Sequence, residues 1–312
     1  MQGKNALPEL SQRQRREIEY HKDHARQYAE KYRSIDFAVV SFTERRWWNA
    51  YWEMYRHVAL ADMHGRRALV VGCGFGHDAV LLAKLGAQVS AFDLSAELLA
   101  IGQDLAARYE LNVDFQQMPA ERLSYQDGEF DFVLIVDILH HCDVTKALSE
   151  LARVSKPGAT WVVDEIYTHS VLQRLRESTV IVQFVYPFVS RLLYGNKPYI
   201  TDDERKLDER DVAEIRKRIR THRIDYYYAI IKRFVPERGR ALSKLDRLLL
   251  VGLWPIAPLL GGRFVMFGVM ERSAAARSIV GGLTSAAIGA PERVPSAGCE
   301  RADADRGRAE ER

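Results

Sequence analysis

The chain has 312 residues, 47% of them hydrophobic and 28% charged, which describes a globular protein with room for one large α/β domain. Its 45 basic residues against 42 acidic ones leave a formal charge of +3, interleaved along the length and too small to argue for a nucleic-acid partner. Cys73, Cys142 and Cys299 are scattered without metal spacing, which argues against a disulfide framework or a zinc site and for a reducing compartment.

The opening MQGKNALPELSQRQRREIEY is polar and carries no apolar core of a secretory signal, so a cytoplasmic location is expected. From Leu10 to Tyr32 the chain lacks Gly and Pro and predicts a polar helix, on which Tyr20, His21, His24, Tyr28 and Tyr32 recur at three- and four-residue spacings. Residues 44–63, ERRWWNAYWEMYRHVALADM, predict a second helix whose three tryptophans are read chiefly as packing surface.

Residues 66–94, RRALVVGCGFGHDAVLLAKLGAQVSAFDL, organise the rest. The apolar run Ala68 to Val71 meets Gly72, Gly74 and Gly76, then an amphipathic helix, a second strand over Gln88 to Phe92, and Asp93. Glycines let the backbone approach a ligand closely, the N–H groups opening a helix point at an anionic group, and a carboxylate ending the second strand can accept both hydroxyls of a ribose. The pattern is G-x-G-x-G, with His77 where a dinucleotide fingerprint has its third glycine.

This stretch resembles motif I of the class I S-adenosylmethionine-dependent methyltransferases, and the resemblance extends over Ala68 to Tyr167. It implies a doubly wound, Rossmann-like seven-strand sheet and S-adenosylmethionine as cofactor. By the same resemblance Gly72, Cys73, Gly74 and Gly76 hold the amino-acid end, Asp93 the ribose, and Leu94 and Met118 flank the adenine. Two positions depart from the family pattern. Val70 stands where many members carry an acid, and Asp78 in the first turn of the next helix supplies a nearby carboxylate. Pro119 stands where an acid commonly meets the adenine amino group, which leaves backbone groups with Met118, Pro119, Ala120 and Glu121 to hold the base. Segments before the first strand often fold over cofactor and substrate in this family, which makes Tyr28 and Tyr32 candidate substrate-binding lid residues.

Ser95 is a good N-cap for a helix running to about Glu110, and a short strand follows at Val113 to Gln116. Phe130 to Val136 is almost unbroken apolar sequence, as a strand buried on both faces of a parallel sheet requires. Asp137 then sits at a carboxyl end, where open α/β sheets bind ligands, and the resemblance places it near the methionine end of the cofactor. His140 and His141 follow as the catalytic candidates, because an imidazole can take the proton leaving an oxygen or nitrogen acceptor at neutral pH. His141 matches the position commonly held by histidine in small-molecule members, where it either accepts a proton or only shapes the pocket.

Val144 to Ser155 predicts an amphipathic helix, Lys156-Pro157-Gly158 a break, and Thr160 to Ile166 a fifth strand. ELARVSKPGATWVVDE is itself a specific resemblance to the family. Asp164 and Glu165, with Asp137, raise a metal-assisted alternative, but the Asp-Asn pair of that branch is missing and no metal is expected. Residues 169–220 read as an inserted substrate cap, with an apolar segment VIVQFVYPFVSRLLY and a helix DERDVAEIRKRIR. A sixth strand is expected at Ile224 to Ile231, a helix broken by Pro255 and Pro258 over Leu242 to Leu260, and a last, antiparallel strand at Arg263 to Met270. The expected organisation is a helical lid over 1–63, a methyltransferase domain over 64–272 and a disordered tail over 273–312.

Neither apolar stretch reads as a membrane span, while a peripheral membrane contact fits the apolar cap beside Arg216, Lys217, Arg218, Arg220 and Arg223. The expected activity is methyl transfer to a small, apolar or lipid-like acceptor. Two rivals stay open: a non-catalytic nucleoside-binding protein of the same fold, and an NAD-dependent oxidoreductase. Base methylation in nucleic acid is disfavoured, since no Asn/Asp-Pro-Pro-aromatic turn follows Val136. The acceptor and the oligomeric state are not encoded in any motif.

Overall fold

The structure is a computed structural model, and it describes residues 10–28, 34–41, 46–176, 178, 205–229 and 240–271. The side chain of Tyr28, all of Tyr32, most of the apolar cap segment and the expected tail lie outside the described residues.

In chain order the helices and strands are α1 (Gln12–Tyr28), α2 (Ala38–Ser41), α3 (Ala50–Leu60), β1 (Arg67–Val71), α4 (His77–Lys84), β2 (Gln88–Asp93), α5 (Ala96–Arg108), β3 (Val113–Gln117) and β4 (Phe130–Val136). There follow α6 (Val144–Val154), β5 (Ser155–Ile166), α7 (Ser170–Arg176), α8 (Glu209–Arg216), β6 (Ile219–Tyr227), α9 (Arg240–Gly252), α10 (Ala257–Leu260) and β7 (Arg263–Met270). The strands form one sheet in the order β3-β2-β1-β4-β5-β7-β6. Neighbours from β3 to β5 run parallel, and β7 lies antiparallel to both β5 and β6.

Alternate residues of the central strands feed two cores. Leu69, Val71, Val133, Ile135, Trp161 and Val163 pack with Leu148 and Leu151 of α6 and Ile215 of α8. Ala68, Val70, Phe132, Leu134 and Val162 point the other way, onto Met54 and Val58 of α3 and Ala79 and Leu82 of α4. Strands covered on both faces need apolar residues at every position, which is why β1 and β4 read as unbroken runs. The sheet is therefore doubly wound, and Val70 belongs to its core.

Local signals hold where predicted at α5, whose N-cap Ser95 accepts a hydrogen bond from the Leu98 N–H at 3.3 Å. They shift at two places. β5 begins at Ser155, because Lys156-Pro157-Gly158 is taken up as a register irregularity against β4 between Phe130 and Phe132. β6 runs from Ile219 to Tyr227, five residues earlier at its start than the apolar pattern suggests. It is an edge strand, so its partner β7 dictates the register and charged residues such as Arg220 and Arg223 are tolerated along it.

Candidate active site

β1 and β4 are neighbours in space while their following connections diverge, so a crevice opens between their carboxyl ends. A cavity of about 280 Å³ occupies it. Its floor is Gly72, Cys73, Gly74 and Phe75 after β1, its far wall is Phe92, Asp93 and Leu94 with Leu98, and Met118, Pro119, Ala120 and Glu121 close one side. Val136, Asp137, Ile138, His141 and Cys142 close the other, and Gln14, Glu17 and His21 of α1 roof it. Asp78 also lines it.

Asp93 is buried, and its oxygens accept the Gly74 N–H and the Ser95 N–H, each at 2.9 Å. Burial pushes its carboxyl up, opposed by the Ser95 and Gly74 N–H groups and by His21. A carboxylate has about four acceptor sites, so two main-chain donors leave capacity for further hydroxyls. At Gly74, with φ of 51°, a Cβ would meet nothing within 4 Å, so the glycine leaves open space over the floor of the cavity.

Asp78 lines the cavity, whereas Val70 lies in the core. Tyr51 and Tyr55 of α3 donate to its Oδ1 at 2.9 and 2.6 Å, which fixes the carboxyl while burial raises its pKa. The aromatic α3 segment therefore reaches the site through its tyrosines. Its tryptophans lie outside the cavity lining; Trp47 and Trp48 meet edge to face at 5.7 Å.

The two histidines separate. His141 lines the cavity, with its Nδ1 3.1 Å from Oε1 of Glu17. Burial tends to raise Glu17, but the hydrogen bond and charge of His141, with His21 and Arg13, more than offset it and bring the carboxyl below its ordinary value. An ionised Glu17 can only accept, so Nδ1 of His141 carries the proton and Nε2 is the basic nitrogen. His140 corrects the expectation of a second catalytic histidine. It is buried, is not among the cavity-lining residues, and its Nδ1 lies 2.9 Å from Oε2 of Glu165. Oε1 of the same glutamate accepts the N–H groups of Ile138 and Leu139 at 2.7 and 2.6 Å, so the Glu165–His140 pair builds the turn that presents His141.

Gly76 is a second correction, since it does not line the cavity. With φ of 82°, a Cβ there would lie 2.7 Å from Cα of Gly102, so this glycine lets α4 and α5 approach each other. Asp137 lines the cavity in the left-handed region at φ of 49°, and Nη2 of Arg263 donates to it at 2.8 Å. Arg263 also bonds Asp164, which has no exposed surface and whose carboxyl burial pushes up to about 6. Asp137, His140 and Glu165 lie close enough together to share a cation. The donor set is already engaged, Glu165 by two N–H groups and His140 and Asp137 by Arg263, which does not fit a resident metal. Burial also pushes the Cys73 and Cys142 thiols well up, which disfavours their thiolate forms.

Residues 69–163 match the methyltransferase domain family. The chain carries a class I S-adenosylmethionine-dependent methyltransferase domain. Among curated relatives, it is 39% identical over 106 residues to a ubiquinone biosynthesis O-methyltransferase of Methylococcus capsulatus, covering 33% of this chain and 44% of that protein. It is 33% identical over 137 residues to the protein of the same name from Xanthomonas oryzae pv. oryzae, covering 43% of this chain and 55% of that one. The chain thus spans about half the length of the curated relatives it matches. A solved putative methyltransferase from Bacillus halodurans aligns at 16% identity and a TM-score of 0.47, over 70% of this chain and 99% of that one.

The methyltransferase domain fits the family's cofactor on its own geometry: a buried carboxylate with spare acceptor capacity at Asp93, open space over Gly74, and a second, half-buried carboxylate at Asp78. The sequence reading missed Glu17, His21, Gln14 and Arg13. Glu17 and His21 stand at i and i+4, and with Gln14 they form one face of α1. Arg13 anchors that helix through Nη2, which donates to the His140 carbonyl at 2.7 Å, and Gln14 donates to Glu121 at 3.0 Å. The helical spacing was visible, but the aromatic residues on it drew attention away from the acid.

Proposed function

We propose that this protein transfers the methyl group of S-adenosylmethionine to a hydroxyl oxygen of a small, apolar acceptor, with His141 receiving the acceptor's proton. The observation that carries the proposal is the Glu17–His141 pair at the edge of the cavity, 3.1 Å apart and contributed by opposite sides of it. S-adenosylmethionine, bound there, supplies a sulfonium-activated methyl group. Asp93 would accept the ribose hydroxyls, Asp78 would serve the amino-acid end, and Met118, Pro119 and Ala120 would hold the adenine.

The chain's own task is then orientation and one proton. His141 would take the acceptor's proton at Nε2 as the methyl carbon's bond to sulfur gives way to a bond to the acceptor oxygen and the demethylated thioether departs, and Glu17 would hold the resulting imidazolium through Nδ1–H. An oxygen acceptor of the ubiquinone-precursor kind is supported by the relatives, which are named ubiquinone biosynthesis O-methyltransferases. Neither nicotinamide binding nor a purely non-catalytic role gains support from the site.

Calorimetry with S-adenosylmethionine, its demethylated product and NADH tests the cofactor, with binding of the first two and none of the third expected. Methylation of apolar phenols by the wild type and by His141→Asn tests the rest. The expected result is cofactor binding preserved in the variant with turnover reduced at least tenfold, on the order of a lost general base. NADH binding alone, or an unimpaired His141→Asn enzyme, refutes the assignment.

A further inference from the structure

Helix α9 is mounted with its polar face inward. Ser243, Asp246, Arg247 and Leu250, at i, i+3, i+4 and i+7, are the residues it buries. That face is fixed by specific bonds: Asp246 accepts the Ala229 N–H at 3.2 Å, and Arg247 donates to the Tyr226 carbonyl at 2.9 Å and to Asp225 at 2.7 Å. The guanidinium of Arg247 also lies over the Tyr227 ring at 4.3 Å. The helix cannot roll to bury its leucines without breaking all of these.

What remains outward is apolar. Leu242, Leu245, Leu248, Leu249 and Val251 are exposed, with Leu245 63% and Leu248 54% accessible, and Trp254 follows in the next turn at 75%. Helix α7 packs beside α10 and adds Val171 and Leu175, one turn apart and both exposed. Scattered exposed leucines are ordinary, but a continuous stripe along one helix ending in an exposed tryptophan marks a surface that meets something apolar.

The charges around the stripe say what. Arg174 and Arg240 are exposed on these elements, Lys244 is exposed with its Nζ 4.6 Å from the centre of the Trp48 ring, and among the described residues of α7 and of 240–260 the single carboxylate is the buried Asp246. A second copy docked on this face would set cations against cations with no acid to meet them. A bilayer with anionic headgroups meets both features at once: apolar side chains enter the acyl boundary, basic ones reach phosphates, and a tryptophan sits at the interface. At 13 residues α9 is too short to span, and no described helix is long and apolar enough to cross a membrane, so it would lie in the plane of the surface. We infer that α9, α10 and α7 form a docking face for an anionic lipid bilayer. The basic run expected to serve this purpose is largely engaged elsewhere, Lys217 and Arg218 with Glu214 and Arg223 with Asp225.

Because β6 ends and β7 begins at the carboxyl edge of the sheet, their connection through α9 and α10 leaves and returns on the edge that holds the cavity. The docking face is therefore carried by a connection anchored at the edge that holds the cavity.

The test is flotation of the full chain with phosphatidylcholine vesicles and with mixed phosphatidylcholine–phosphatidylglycerol vesicles, for the wild type and for a Leu245→Glu/Leu248→Glu double variant. Wild type is expected to float with the anionic vesicles and to lose that partition in high salt. The double variant is expected to bind at least about tenfold less, with unchanged melting temperature and unchanged S-adenosylmethionine affinity. A wild type that stays with the pellet, or a double variant that floats equally, overturns the inference. So does a wild-type dimer that the substitutions convert to monomer without vesicle binding, since the face would then belong to a second copy. A drop in melting temperature in the double variant overturns it too, because the leucines would then be covered by the chain itself.

Discussion

The carboxyl edge of the sheet handles charge in two ways. Over β1, β2 and β4, Asp93 is buried against main-chain N–H groups and faces no arginine, so it keeps acceptor capacity for a ligand. Toward β5, β7 and β6, Arg263 bonds Asp164 of β5 and also reaches Asp137 after β4, Asp225 is held by Arg247 and Arg223, and Glu165 is taken up by two N–H groups and His140. The first half is an open acceptor, the second a closed scaffold. Ligand sites in such a sheet are found where buried charge is left for something else to satisfy.

The sharpest way to break that contrast is to open the closed half. Arg263→Met leaves Asp164 buried and unpaired and should cost about 3–5 kcal/mol of stability in urea unfolding. The carboxyl already stands at about 6, so part of this loss should be relieved in mildly acid buffer, where Asp164 takes up a proton. A variant as stable as the wild type would mean that the ion pairs are not the scaffold.

On the open half, Asp93→Ala should weaken S-adenosylmethionine binding by about a hundredfold, roughly two charge-assisted hydrogen bonds, in calorimetry. Asp93→Asn, which keeps the shape, should recover a minority of that loss. Unchanged affinity in both would remove Asp93 from the cofactor. Between the halves, Glu17→Gln should lower kcat by about tenfold while leaving cofactor affinity within about twofold, since it alters the partner of His141 and not the ribose site. Equal effects on affinity and turnover would mean that Glu17 acts by closing α1 alone.

A further expected effect is remote from both. Burial, then Arg56, hold His57 at about 4, below its ordinary 6.5, and its ring stacks on Phe267 at 5.0 Å. A depressed histidine pKa means that the unfolded chain binds more protons between about pH 6.5 and about 4. Its contribution is intact above that window and is lost progressively as pH falls through it. His57→Phe should therefore remove on the order of 2 kcal/mol of acid destabilisation across that interval, read as a smaller drop in melting temperature than in the wild type.

The cofactor side of the molecule was legible because its determinants are local. Gly72 to Asp93 spans one strand, turn, helix and strand, and the residues that line the floor are consecutive. Asp78 could be read as a substitute for the acid missing at Val70 for the same reason, although its clamp by Tyr51 and Tyr55 depends on α3 packing against the sheet. His140 and His141 are adjacent, and only the long-range partners Glu165 and Glu17 tell them apart. Nothing in a stretch of sequence says which neighbour faces a carboxylate 25 positions away and which faces one 124 positions away. The edge strand β6 was displaced for a related reason, because pairing with β7 and not its own apolar pattern sets where it begins.

Helix α1 bears a consequence for timing. Glu17 and His21 roof the cavity from the same helix that Arg13 ties to the carbonyls of His140 and Cys142. On the proposed reading, movement of α1 away from the sheet would open this roof and undo the Glu17–His141 contact. Loading of the site and assembly of the Glu17–His141 pair would then be exclusive in time, since one helix serves both.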